Sequence, residues 1–135
     1  MEIEKYFNTA TMIFGFVGGV ITGILGGWDA LTHAIVYLVI VDYLTGVGKS
    51  IVNKELSSAV GFIGLFKKVL IFVVIAVSVE IQKIIGDGLP LREIVIMFYI
   101  ANEGISLIEN VSEFIPLPKK LKDIFVQIRD KEKSE

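Results

Sequence analysis

From Tyr6 to Gly48 the chain reads YFNTATMIFGFVGGVITGILGGWDALTHAIVYLVIVDYLTGVG. These 43 consecutive residues carry two charged side chains, Asp29 and Asp42, and one histidine, His33. A soluble domain spreads polar groups along its length, at about a quarter charged throughout. This stretch cannot cover a surface in that way. At the opposite end, from Lys119 to Glu135, ten of 17 residues are charged. Over all 135 residues, 53% are apolar and 21% charged, with a formal net charge of −2. The partition predicts an all-α integral membrane protein forming a single membrane domain, 1–135. It has about four transmembrane helices, with three as the alternative, and an amphipathic cytoplasmic C-terminal helix.

Other classes do not fit. The chain has no Cys, so disulfide frameworks, thiolate metal sites and Cys nucleophiles are not expected. One His cannot build a multi-His metal centre. No G-x-S-x-G and no phosphate loop occurs, so neither catalysis nor a cofactor is expected. The slightly acidic balance does not suit a nucleic-acid partner. The Met-Glu-Ile-Glu-Lys start is not cationic, so a cleaved signal peptide is not expected either.

The spans are read outward from the opening stretch. Residues 6–27 at 1.5 Å each reach about 33 Å, against a hydrocarbon core of about 30 Å. Gly15, Gly19, Gly23 and Gly27 recur every four residues, with Gly18, Thr22 and Gly26 beside them. In water each glycine would weaken a helix by about 1 kcal/mol relative to Ala. In lipid such a stripe lets a second backbone approach closely, either another copy or this chain's own second helix. Gly26-Gly27-Trp28-Asp29 reads as a turn at the membrane surface, with Trp28 as interfacial anchor. A second span is predicted over 30–48, a third over 69–86 and a fourth over 91–111. Residues 49–68 break the hydrophobicity and are predicted as an interfacial cytoplasmic connector. Gly86-Asp87-Gly88-Leu89-Pro90 marks a turn, and Pro116 and Pro118 open the charged tail, 116–135. Leu121, Ile124, Phe125 and Ile128 there fall at i, i+3, i+4 and i+7, one face of a helix.

Charge chooses the orientation. With four spans, eleven of the 13 Lys and Arg lie on one side, and Lys83 and Arg92 on the other. Cytoplasmic loops carry such an excess, so both termini of a multi-pass protein in the bacterial cytoplasmic membrane are expected inside.

Ionisable groups at membrane depth cost about 2.5–3.5 kcal/mol each on insertion scales, so each demands a reason. Asp42, Glu80 and Glu103 are the candidates. Glu80 and Lys83, one turn apart, are expected to pair, and His33 is expected to hydrogen-bond to Asp29. Asp42 has no cation within a turn, so its partner must come from another helix or another subunit. Asn102, Ser106, Glu109 and Glu113 form a polar row beside Glu103 and Asn110. The row either lines an aqueous pore between copies or is buried inside one bundle against groups such as Asp42.

Three stretches carry a resemblance. They are Val41-Asp42-Tyr43-Leu44-Thr45-Gly46-Val47, then Ser57-Ser58-x-Val60-Gly61-Phe62-Ile63-Gly64 running into Lys67-Lys68, then Phe98-Tyr99-Ile100-Ala101-Asn102-Glu103-Gly104-Ile105-Ser106 with Glu109-Asn110. In this order the chain resembles the toxin-secretion and phage-lysis holin family, small membrane proteins of phages of Gram-positive bacteria and of clostridial toxin loci. The resemblance covers about residues 28 to 130; Ile63 stands where a Lys is expected. It implies a homo-oligomer in the membrane lipid that opens large lesions for a cell-wall hydrolase or a toxin, without a required stable complex with that cargo. Met12 offers a second start of the kind seen in dual-start holins. Two rival readings stand beside this one: a small ion or proton transporter, and a membrane regulator that inhibits a holin.

Overall fold

The computed structural model describes residues 1–134, and all its regular elements are helices. They are α1 (Glu2–Ile24), α2 (Ala30–Val52), α3 (Ser58–Ile85), α4 (Leu91–Ser112) and α5 (Lys119–Ser134). The first four are long and apolar enough to cross a membrane. The polar fourth segment qualifies with the others, so four such helices, rather than three, stand among the described residues.

Local chemistry sets the helix ends. Gly26 and Gly27 stop α1 by taking φ of 83° and 108°, a left-handed region closed to most side chains. Gly27 therefore belongs to the turn and not to the glycine stripe of α1. Asp29 caps α2, its carboxylate accepting from the Thr32 N–H at 2.9 Å. Ser57 caps α3 in the same way, accepting from the Val60 N–H at 3.1 Å. Gly86, at φ 79°, ends α3.

One boundary differs markedly from the sequence reading. The expected connector 49–68 shrinks to residues 53–57, because α2 continues to Val52 and α3 begins at Ser58. The glycines that argued for a break, Gly61 and Gly64, are helical and lie against the ring of Tyr43 on α2. Missing Cβ atoms there serve packing. Lys68 consequently sits inside a helix and not in a connector.

α4 is the hub, packing on α2, α3 and α5. The apolar core joins Leu25, Ile35, Val39, Ile71, Ile75, Ile96 and Ile100. α1 stands apart. None of its residues is buried, and a Cβ added at Gly15, Gly18, Gly19 or Gly23 would meet nothing within 4 Å. The stripe does not pack on this chain's own α2.

Candidate functional site: a buried charge cluster

Asp42 projects from α2, Lys68 from α3 and Glu103 from α4, and the Lys68 ammonium contacts both carboxylates. The side chains of Asp42, Glu103 and Lys68 are 4%, 9% and 16% exposed. Asn110, two turns beyond Glu103, donates from Nδ2 to Asp42 Oδ1 at 2.9 Å and to Thr45 Oγ1 at 3.2 Å. The Thr45 hydroxyl donates in turn to the Val41 carbonyl at 2.8 Å. The cluster thus ties three helices together through groups that could not face lipid singly. Buried charges persist where they are paired and hydrogen-bonded.

The surrounding glycines make this meeting geometrically feasible. Gly61, Gly64 and Lys68 follow one another at spacings of three and four, so they share a face of α3. The Tyr43 ring lies 3.5 Å from the Cβ position of Gly64, and its hydroxyl donates to the Gly61 carbonyl at 3.2 Å. Gly46 gives Asn110 similar room, with Nδ2 at 3.5 Å from its Cβ position. A cleft of about 230 Å³ opens beside the cluster, bordered by Asp42, Lys68, Ser106, Asn110, Tyr43 and Ser50.

The other expected positions fall elsewhere. Glu80 pairs with Lys83 at 2.7 Å on the exposed end of α3, away from the cluster. Asn102 is half-buried and outside the network, whereas Ser106 lines the cleft. Phe62 points outward and stacks on Phe66. Gly104 faces α5: a Cβ there would lie 2.5 to 2.7 Å from the ring of Phe125. The polar row of α4 is therefore split. Glu103 and Asn110 turn inward, while Glu109 meets Lys122 of α5 at 3.5 Å and Glu113 meets Lys49 at 3.2 Å.

A second network, at the opposite end of α4, was not legible in the sequence. Arg92 is 7% exposed. Its Nε donates to the Leu25 carbonyl at 2.7 Å, Nη1 to Asp29 Oδ2 at 2.8 Å and Nη2 to Thr32 Oγ1 at 2.8 Å. One guanidinium thus closes the end of α1 and the start of α2. Its hydrogen bonds, followed by that from the Thr32 N–H, hold the Asp29 carboxyl well below its ordinary range. Asp29 is thereby taken from His33. The imidazole packs edge-on against Trp28 instead, with ring centroids 5.9 Å apart. Gln82 serves the neighbouring turn, donating to the Leu89 carbonyl at 2.7 Å and accepting from the Arg92 N–H at 3.2 Å. The available signal was the polar residue itself, since an Arg in the first turn of an apolar helix requires partners.

Four long apolar helices, with paired charges enclosed by three of them, define a helical membrane protein. The chain belongs to the bacteriophage holin family, which matches residues 19–130 and so takes in the whole charge cluster. It is 39% identical over 117 residues to an uncharacterized 14.9 kDa protein of Clostridium perfringens, covering 85% of this chain and 89% of that one. It is 39% identical over 116 residues to an uncharacterized protein of Listeria monocytogenes, with 84% and 83% covered. A probable holin of Bacillus phage phi105 is 36% identical over 85 residues, with 62% and 63% covered. No solved structure matches the chain.

Proposed function

We propose that this protein acts as a holin without catalytic activity: copies collect in the bacterial cytoplasmic membrane and assemble into lesions that release a cell-wall hydrolase or a toxin. The observation that carries the reading is the family match, which includes Asp42, Lys68 and Glu103. Both termini lie in the cytoplasm on this reading, following the excess of Lys and Arg in the N-terminus, the 49–68 region and the tail.

Two features support assembly. α1 presents Gly15, Gly19 and Gly23 with nothing against them, so a second helix could approach closely there. The cluster of Asp42, Lys68, Glu103 and Asn110 keeps polar groups satisfied in the single chain. Asn102, Ser106 and the cluster residues then provide polar surface wherever helices separate around water. Such a chain is harmless while closed and permeabilising when its helices repack.

The test is induced expression in a bacterium beside a cytoplasmic endolysin that lacks any export signal, following membrane potential and culture turbidity together. A silent interval followed by abrupt depolarisation and endolysin-dependent lysis is expected. Gradual depolarisation without lysis would favour a small ion or proton transporter, a reading to which the cleft beside Asp42 and Lys68 lends support. Full insertion without either effect would favour a regulator of another holin.

A further inference from the structure

After Pro116 and Pro118 the chain turns back, and α5 runs along α4. Phe125 rests on Gly104, Lys122 meets Glu109 at 3.5 Å, and Glu132 and Lys133 reach a cleft beside Ile94 and Phe98. This seat lies against the middle of a helix long enough to cross hydrocarbon. Yet nine of the 16 residues of α5 are Asp, Glu, Lys or Arg. Their outward side is incompatible with lipid tails, where each charge is heavily penalised. The seat also wastes apolar surface: Phe125 and Ile128 are half-buried, but Leu121 and Ile124 stay 41% and 53% exposed. Lys119, Lys120 and Lys122 flank those two side chains.

We propose that α5 exchanges between two seats: along α4, with Phe125 on Gly104, where water reaches that face, and on an anionic lipid surface in the intact membrane. On the lipid surface Leu121 and Ile124 enter the headgroup boundary, and the three lysines meet the phosphates. Each lysine near an anionic surface favours that seat about fivefold, so the three together favour it roughly a hundredfold. Release frees Gly104 and the Glu109 carboxylate for contact with a second copy. The exchange depends on α4 spanning the membrane and does not depend on lesion formation, so protein that inserts but never lyses a cell still answers the question.

The native chain has no Cys, so a spin-label pair can be placed at Leu44→Cys on α2 and Gln127→Cys on α5 of the full chain. Distances are read in detergent micelles, in phosphatidylcholine vesicles, and in vesicles with increasing phosphatidylglycerol. A short, narrow distance is expected in micelles, whose thin and mobile detergent shell lets water reach that face of α4. The ratio of long to short distances should rise with phosphatidylglycerol and lose that dependence when Lys119, Lys120 and Lys122 are all changed to Gln. Gly104→Leu and Phe125→Ala should each lengthen the distance in micelles, with an α2–α4 label pair verifying the fold. A short distance persisting in anionic vesicles would overturn the exchange, as would a ratio indifferent to lipid charge. A micelle distance unaffected in both Gly104→Leu and Phe125→Ala would refute the α4 seat.

Discussion

Lys68 and Asp42, 26 residues apart and on different helices, meet in a contact that is nearly closed to solvent. The pair is not symmetric in its consequences, because Glu103 shares the same ammonium. Removing one carboxylate leaves a balanced ion pair. Removing the lysine leaves two facing carboxylates with no counter-charge, and an uncompensated buried charge costs about 3–5 kcal/mol.

Lys68→Met is therefore expected to lower stability by about that amount, whereas Asp42→Asn and Glu103→Gln should each cost clearly less. Thermal unfolding of the purified chain in micelles would rank the three. Equal losses in all three would show that the cluster acts through packing and not through charge balance. In the lysis assay Lys68→Met should also advance or abolish lesion onset more strongly than either carboxylate variant.

Arg92 predicts a separable defect. Arg92→Gln leaves the Leu25 carbonyl without its donor, at a cost of about 1–3 kcal/mol for a buried acceptor. It should also loosen α1 relative to α2 while the core around Ile96 stays intact. Spin labels on α1 and α2 should show a broadened distance distribution, and a pair on α2 and α4 should not. Broadening of both would mean that Arg92 supports the whole bundle.

The same network gives a pH dependence. The Asp29 carboxyl is depressed from its ordinary 3.8 in the folded chain, so its contribution is fully present above that value and fades as the pH falls below it. Asp29 is about half exposed, which limits the size of the effect. Melting temperature followed downward from neutral pH should fall more steeply below about 4 in the native chain than in Asp29→Asn. Parallel curves would remove Asp29 as the source.

The glycine stripe of α1 meets nothing within 4 Å among the described residues, so larger residues there should not disturb the fold through a clash. Gly19→Leu and Gly23→Leu should leave monomer stability near native, within about 0.5 kcal/mol, as exposed substitutions usually do. Cross-linked oligomers should nevertheless diminish in both. Oligomers that persist undiminished would show that copies meet through another surface.

Which parts of this were readable from the order of residues follows from what kind of signal each leaves. A run such as Tyr6–Gly48 cannot be solvated, so the apolar helices and the membrane setting follow from composition alone. The turns at Gly26 and Gly86 are local chemistry, read within a few residues, whereas the cap Ser57 lies inside the expected connector and shows only in the structure. The need for a distant partner for Asp42 was also readable, because no cation stands within a turn of it. The identity of that partner was not. Gly61 and Gly64 look like breaks until Tyr43 is seen lying on them, and with the break goes the placing of Lys68 in a connector. Arg92 likewise counts as a loop charge until the ends of α1 and α2 converge on it, and His33 loses Asp29 only because that guanidinium arrives. Gly104 is one more small residue until Phe125 covers it. Solubility and the turns between spans are decided by neighbours in sequence, whereas how far α3 extends and which charges meet depend on how helices rotate and cross, and that is settled only when α2, α3 and α4 pack.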